Sequence, residues 1–218
     1  MKKFDDKYQK LANDILILSR NTLLVNLRFL DMALSQFEYV PIEKLTMLTD
    51  GKHLFYNPKY ILKNYKNEKE TSVRDYLHIV MHCIFRHMYV NSSLNSVYWD
   101  LACDIAVENT ITDLNIKAVT AKREDEQQKF IKELKINVEH LTAEKIYKYL
   151  TTENISEEKI DVLSKIFQAD DHITWYDSLE KIRDKFKLSQ NDNLSNGQIN
   201  KVDNNDKTFK LSSENKKK

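Results

Sequence analysis

With 218 residues, 31% of them charged, and a net charge of +1, the chain is long enough for one medium domain and carries no basic excess suited to nucleic acid. Only 2 Gly and 2 Pro predict a helix-rich fold with few tight turns, and no apolar run of about 18 residues exists to cross a membrane. The 2 cysteines, Cys83 and Cys103, lie in apolar helical contexts and read as reduced, buried thiols, and no apolar signal region follows the N-terminal lysines. The expected location is the cytoplasm.

Residues 5–36 place Tyr8, Leu11, Ile15, Leu16, Leu23, Leu27 and Leu34 at helical spacing, which predicts one long packing helix or two, with Asn21 and Thr22 as a possible break. Pro41 ends any helix there. Residues 45–49 and 52–56 are β-prone runs around Asp50-Gly51, the signature of a short β-hairpin, with His53 on its surface. Pro58 suits the first position of a helix through Tyr65.

A helix capped near Thr71 and Ser72 and running to about Asn91 carries His78, His82 and His87. Four residues turn a helix by about 400°, so His78 and His82 sit one turn apart on one face, where two imidazoles can take adjacent corners of a zinc site. This is the ligand spacing of His-Glu-x-x-His, but Ile79 stands where that motif has its general base. The same pair is also compatible with two core histidines bonded to protein groups. Asp75 shares their face, either orienting an imidazole or acting as a substitute base, with an N-terminal acid favoured by the helix dipole as the plain alternative. His87 points nearly the opposite way on a straight helix and reads as a packing or surface residue.

The next apolar helix sets Asp100, Asp104 and Glu108 at i, i+4 and i+8. Carboxylates on the packed side of a helix are costly without a compensating cation, so Asp104 is a candidate third zinc ligand and Glu108 a candidate substitute base. The plain alternative is a row of solvated acids.

Three motifs then occur in order: Asp50-Gly51-x-x-Leu54-x-Tyr56-Asn57-Pro58, Leu77-His78-x-x-Met81-His82-Cys83-x-x-x-His87, and Trp99-Asp100-Leu101-Ala102-Cys103-Asp104-Ile105-Ala106-Val107. Together they resemble the metallopeptidase domain that precedes a von Willebrand factor A-like domain in a family of bacterial proteins. The resemblance covers about residues 16–150. It implies a zincin-like fold, mainly α with a small β-hairpin (α+β), with Zn2+ held by His78 and His82 and Asp104 a candidate third ligand. It also implies a peptide or protein as substrate or partner. Ile79 departs from the family pattern and points to impaired hydrolysis, and no A-type domain follows. A non-catalytic helical interaction module without metal, partnering a MoxR-type AAA ATPase, is the alternative.

Residues 121–135 are dense in charge and read as a solvated face. Thr142 caps a helix through Leu150, preceded by a surface His140, and Ser156 opens another helix to about Phe167. Asp170-Asp171-His172-x-x-Trp175 is similar to the region that ends this domain in some relatives. It brings His172, or Asp171, into consideration as a further ligand, against a plain helix start with Trp175 on the core. The domain is expected over residues 1–187, with 188–218 as a disordered tail or linker toward a further domain.

Overall fold

A computed structural model describes residues 6–43, 45–90, 93–153, 155–177 and 181; the tail or linker expected over 188–218 lies outside them. In chain order the elements are α1 (Asp6–Asn26), α2 (Asp31–Leu34), β1 (Glu38–Pro41), β2 (Met47–Thr49), β3 (His53–Tyr56), α3 (Pro58–Asn67), α4 (Lys69–Phe85), α5 (Ser96–Asp113), α6 (Arg123–Asn137), α7 (Ala143–Thr152) and α8 (Glu157–Phe167). The fold is mainly helical with one small sheet.

Local chemistry sets the boundaries. The Asp50 carboxylate accepts from the amides of Lys52 and His53 at 2.9 and 2.7 Å, and Gly51 takes φ +90°, so β2 and β3 form the expected hairpin. Asn57 accepts from the Lys59 amide with Pro58 in the first helical turn, which starts α3. Asn95, Thr142 and Ser156 cap α5, α7 and α8 with side-chain acceptors.

The sheet has the order β1-β3-β2, with β1 parallel and β2 antiparallel to β3. The sequence reading held no β1, because Pro41 and the short run before it carry no alternating pattern. The N-terminal helix breaks after Asn26, later than Asn21 and Thr22. The histidine helix begins at Lys69 and stops at Phe85, short of Asn91, because Arg86 adopts the left-handed conformation (φ 60°). There the Arg86 and His87 amides donate back to the Cys83 and His82 carbonyls.

α4 and α5 lie at the centre. Residues 72–82 of α4 are buried on every side, as are residues 101–109 of α5. One apolar core joins α1, α3 and α4 around Leu16, Leu23, Ile61, Tyr76 and Val80. A second joins α5 to α6, α7 and α8 around Ile105, Ile131, Ile146 and Phe167. Polar groups on α4 and α5 are therefore enclosed between two cores.

Candidate metal centre

His78 and His82 project from one face of α4 and Asp104 from the facing side of α5. The Nε2 atoms of the two histidines are 2.8 Å apart, and each is 3.3 Å from Asp104 Oδ1. Asp170, from the irregular segment after α8, places its Oδ1 3.5 Å from His78 Nε2 and 3.9 Å from His82 Nε2. One donor atom from each of these four residues lies within 4.8 Å of the other three. His172 adds a third imidazole, with Nε2 3.0 Å from Asp170 Oδ1 and 3.3 Å from Asp104 Oδ1.

The far nitrogen of each imidazole is also held. Nδ1 of His78 meets Glu108 Oε1 at 2.8 Å, and Nδ1 of His82 meets Nδ1 of His87 at 3.0 Å. Nδ1 of His172 lies 3.5 Å from Asp100 Oδ1, which also accepts from the Tyr176 hydroxyl. Asp100, Asp104 and Glu108 of α5 thus divide their work. Asp104 enters the cluster, while Glu108 and Asp100 stand behind His78 and His172, the arrangement in which outer carboxylates orient metal-binding imidazoles.

Glu108 is further pinned from behind. Its Oε2 accepts from Arg74 Nε at 2.7 Å and its Oε1 from Arg123 Nη2 at 2.9 Å. Arg123 also donates to Asp75 Oδ1, so Asp75 faces a guanidinium instead of the histidines. The charge-dense start of α6, expected to be solvated, turns Arg123 and Glu124 inward: Glu124 pairs with Arg74 Nη1 at 2.6 Å.

Electrostatics reflect this enclosure. Burial alone would push His78 down, but its hydrogen bonds to Asp104, Asp170 and Glu108 hold it well above the usual imidazole range. His172 is likewise held up by Asp170 and Asp104 against its burial. His82 is pushed down by burial and by the charge of His78, and burial takes His87 down to about 3. Burial would raise Asp104 and Asp170, yet the charge of His172 and the imidazole hydrogen bonds hold both low. The shifts favour charged carboxylates at Asp104 and Asp170 compensated by protons on His78 and His172. A divalent cation binding between them would take over that compensation and release protons.

The donor set fits such a cation. The edge of a metal tetrahedron built on bonds of about 2.0–2.1 Å is about 3.3 Å, against separations of 2.8 to 3.9 Å from the histidine Nε2 atoms to one another and to the two Oδ1 atoms. Asp170 Oδ2 is buried without a hydrogen-bond partner, an orphaned acceptor on a residue of the cluster. Of the residues expected at a metal site, His78, His82, Asp104 and His172 meet here, joined by Asp170, which no sequence pattern singles out. The carboxylate of Asp171, expected as the alternative to His172, instead accepts from the Thr46 amide and hydroxyl at 2.8 and 2.7 Å. Asp170 stands alone on an irregular segment, where no periodicity marks it.

Other expectations fare variously. His140 is exposed, and His53 is half-buried, bonded to Asp50 Oδ2 at 2.7 Å. Trp175 packs on the site itself, stacked on His172 at 3.8 Å. Both cysteines are free, and burial pushes the Cys83 thiol up to about 12 and Cys103 higher still. Among the described residues no helix is long and apolar enough to cross a membrane.

Fold and site define a mainly helical domain built around a buried His–Asp cluster able to hold a metal ion. The chain belongs to the family described as "Putative metallopeptidase domain", whose model matches residues 21–212. No curated protein and no solved structure matches the chain significantly.

Proposed function

We propose that the chain is a zinc-binding, zincin-like member of this family in which peptide hydrolysis is impaired. The carrying observation is the convergence of His78, His82, Asp104 and Asp170 on one buried point beside a position, Ile79, that offers no proton acceptor. In this reading His78 and His82 bind through Nε2 and Asp104 and Asp170 through Oδ1, with His172 alongside. When bound, zinc supplies Lewis acidity that polarises a peptide carbonyl and acidifies water.

Among the described residues, Glu108 and Asp75, the two candidate bases, are both engaged by other groups. Glu108 has both oxygens engaged by His78, Arg123 and Arg74, so it acts as a positioning residue for the His78 ring and not as a base. Asp75 is occupied by Arg123, with Tyr60 and Asn64 near its other oxygen. Four protein donors also fill a tetrahedron, whereas a catalytic zinc keeps a position open. A peptide or protein remains the class of partner that the family implies. The reading is tested by incubating zinc-loaded protein with an unfolded polypeptide. The expected turnover is no faster than the chelator-treated control. Cleavage abolished both by chelator and by His78→Ala would overturn the impairment.

A further inference from the structure

We propose that residues 170–176 are a latch that locks the metal into the site, and that this segment must leave the sheet before the cation can enter or exit. The inference rests on the metal-binding reading above and concerns its regulation.

Every group of the cluster is enclosed. His78 and His82 are 0% exposed, Asp170 1%, Asp104 3% and His172 6%. A site so closed needs a moving wall for metal exchange. His78, His82 and Asp104 sit on α4 and α5, continuous helices set between the two apolar cores, and cannot move without disrupting both. Asp170 and His172 come instead from a segment whose only regular structure is one 3-10 turn, Ile173–Trp175.

That segment is fastened to the outer edge of β2, the strand that lies at the margin of the sheet. The Asp171 amide donates to the Met47 carbonyl at 2.7 Å, and the Asp171 carboxylate accepts from the Thr46 amide and hydroxyl. The Thr174 hydroxyl donates to the Thr49 carbonyl at 2.6 Å. Beyond these ties the segment closes over the site: Trp175 stacks on His172 and packs edge-on against His82 at 5.0 Å, and the Tyr176 hydroxyl donates to Asp100. A handful of hydrogen bonds and one indole ring therefore stand between the closed state and an open one. Because the same segment carries two donors, closing and metal capture are one event.

The test is the rate at which a colorimetric chelator removes zinc from the loaded full-length chain. Thr46→Val with Thr174→Val removes two latch hydroxyls, touches no donor of the cluster and keeps the shape of both side chains. The expected result is an unchanged zinc stoichiometry with release faster by about tenfold, the order expected for losing two part-buried hydrogen bonds. An unchanged release rate in a variant that still holds its zinc overturns the latch and leaves the metal reading standing. A wild-type chain that takes up no zinc removes both at once. Hydrogen exchange on the wild type gives a second readout that needs no variant. Zinc should slow exchange of the Asp171 amide at least about tenfold while leaving the Ile146 amide on α7 unchanged. Equal effects at both amides overturn the latch.

Discussion

His87 meets His82 because Arg86 leaves the helix. On an uninterrupted helix the five-residue step from His82 would carry the ring away, but the left-handed Arg86 brings it back until the two Nδ1 atoms are 3.0 Å apart. Burial holds His87 low, which suits it to accept from His82 Nδ1; that tautomer would leave the His82 Nε2 lone pair facing the cluster. His87→Ala should therefore keep its metal but bind it about 10- to 100-fold more weakly, as measured by competitive titration against a chelator. Spacing alone gave the opposite picture of His87, since a periodicity argument assumes a continuous helix and nothing in Arg86 announces a left-handed turn. For His78 and His82 the same argument held, because their shared helix is unbroken.

At the scale of elements, α6 is tied to the site by charge as well as by apolar packing. Arg123 bridges Asp75 of α4 and Glu108 of α5, and Arg74 links Glu108 to Glu124 of α6. Removing one member leaves buried carboxylates without compensation. Arg123→Met should lower unfolding free energy by about 3 kcal/mol, the lower end for breaking a buried pair; the reason is that 22% of the Arg123 side chain still meets solvent. Lys159→Ala, which breaks an exposed pair with Glu133, should cost under about 1 kcal/mol; urea denaturation of the two variants measures the contrast. The hairpin around Asp50-Gly51 and the caps at Thr142 and Ser156 were legible because each is a local device read within a few residues. The inward turn of Arg123 was not legible. A run of charges looks solvated until the partners from α4 and α5 are known, and those lie far away in sequence.

For the whole molecule, two apolar cores hold α4 and α5 so that polar residues collect on the interface between them. The pairing of these helices, and with it the approach of Asp104 to His78 and His82, followed from their apolar character and the cost of burying acids. The last donor, Asp170, depends on how the chain returns after α8, a long-range matter that no local pattern encodes. The function proposed for the cluster requires a cation at this enclosed point. The most direct measurement is metal content by plasma mass spectrometry on protein purified without a histidine tag, beside His78→Ala/His82→Ala. About one zinc per chain, lost in the double variant, is the predicted result. A wild-type chain without metal, even after zinc is added back, would contradict it and leave a proton-neutralised cluster in a helical domain.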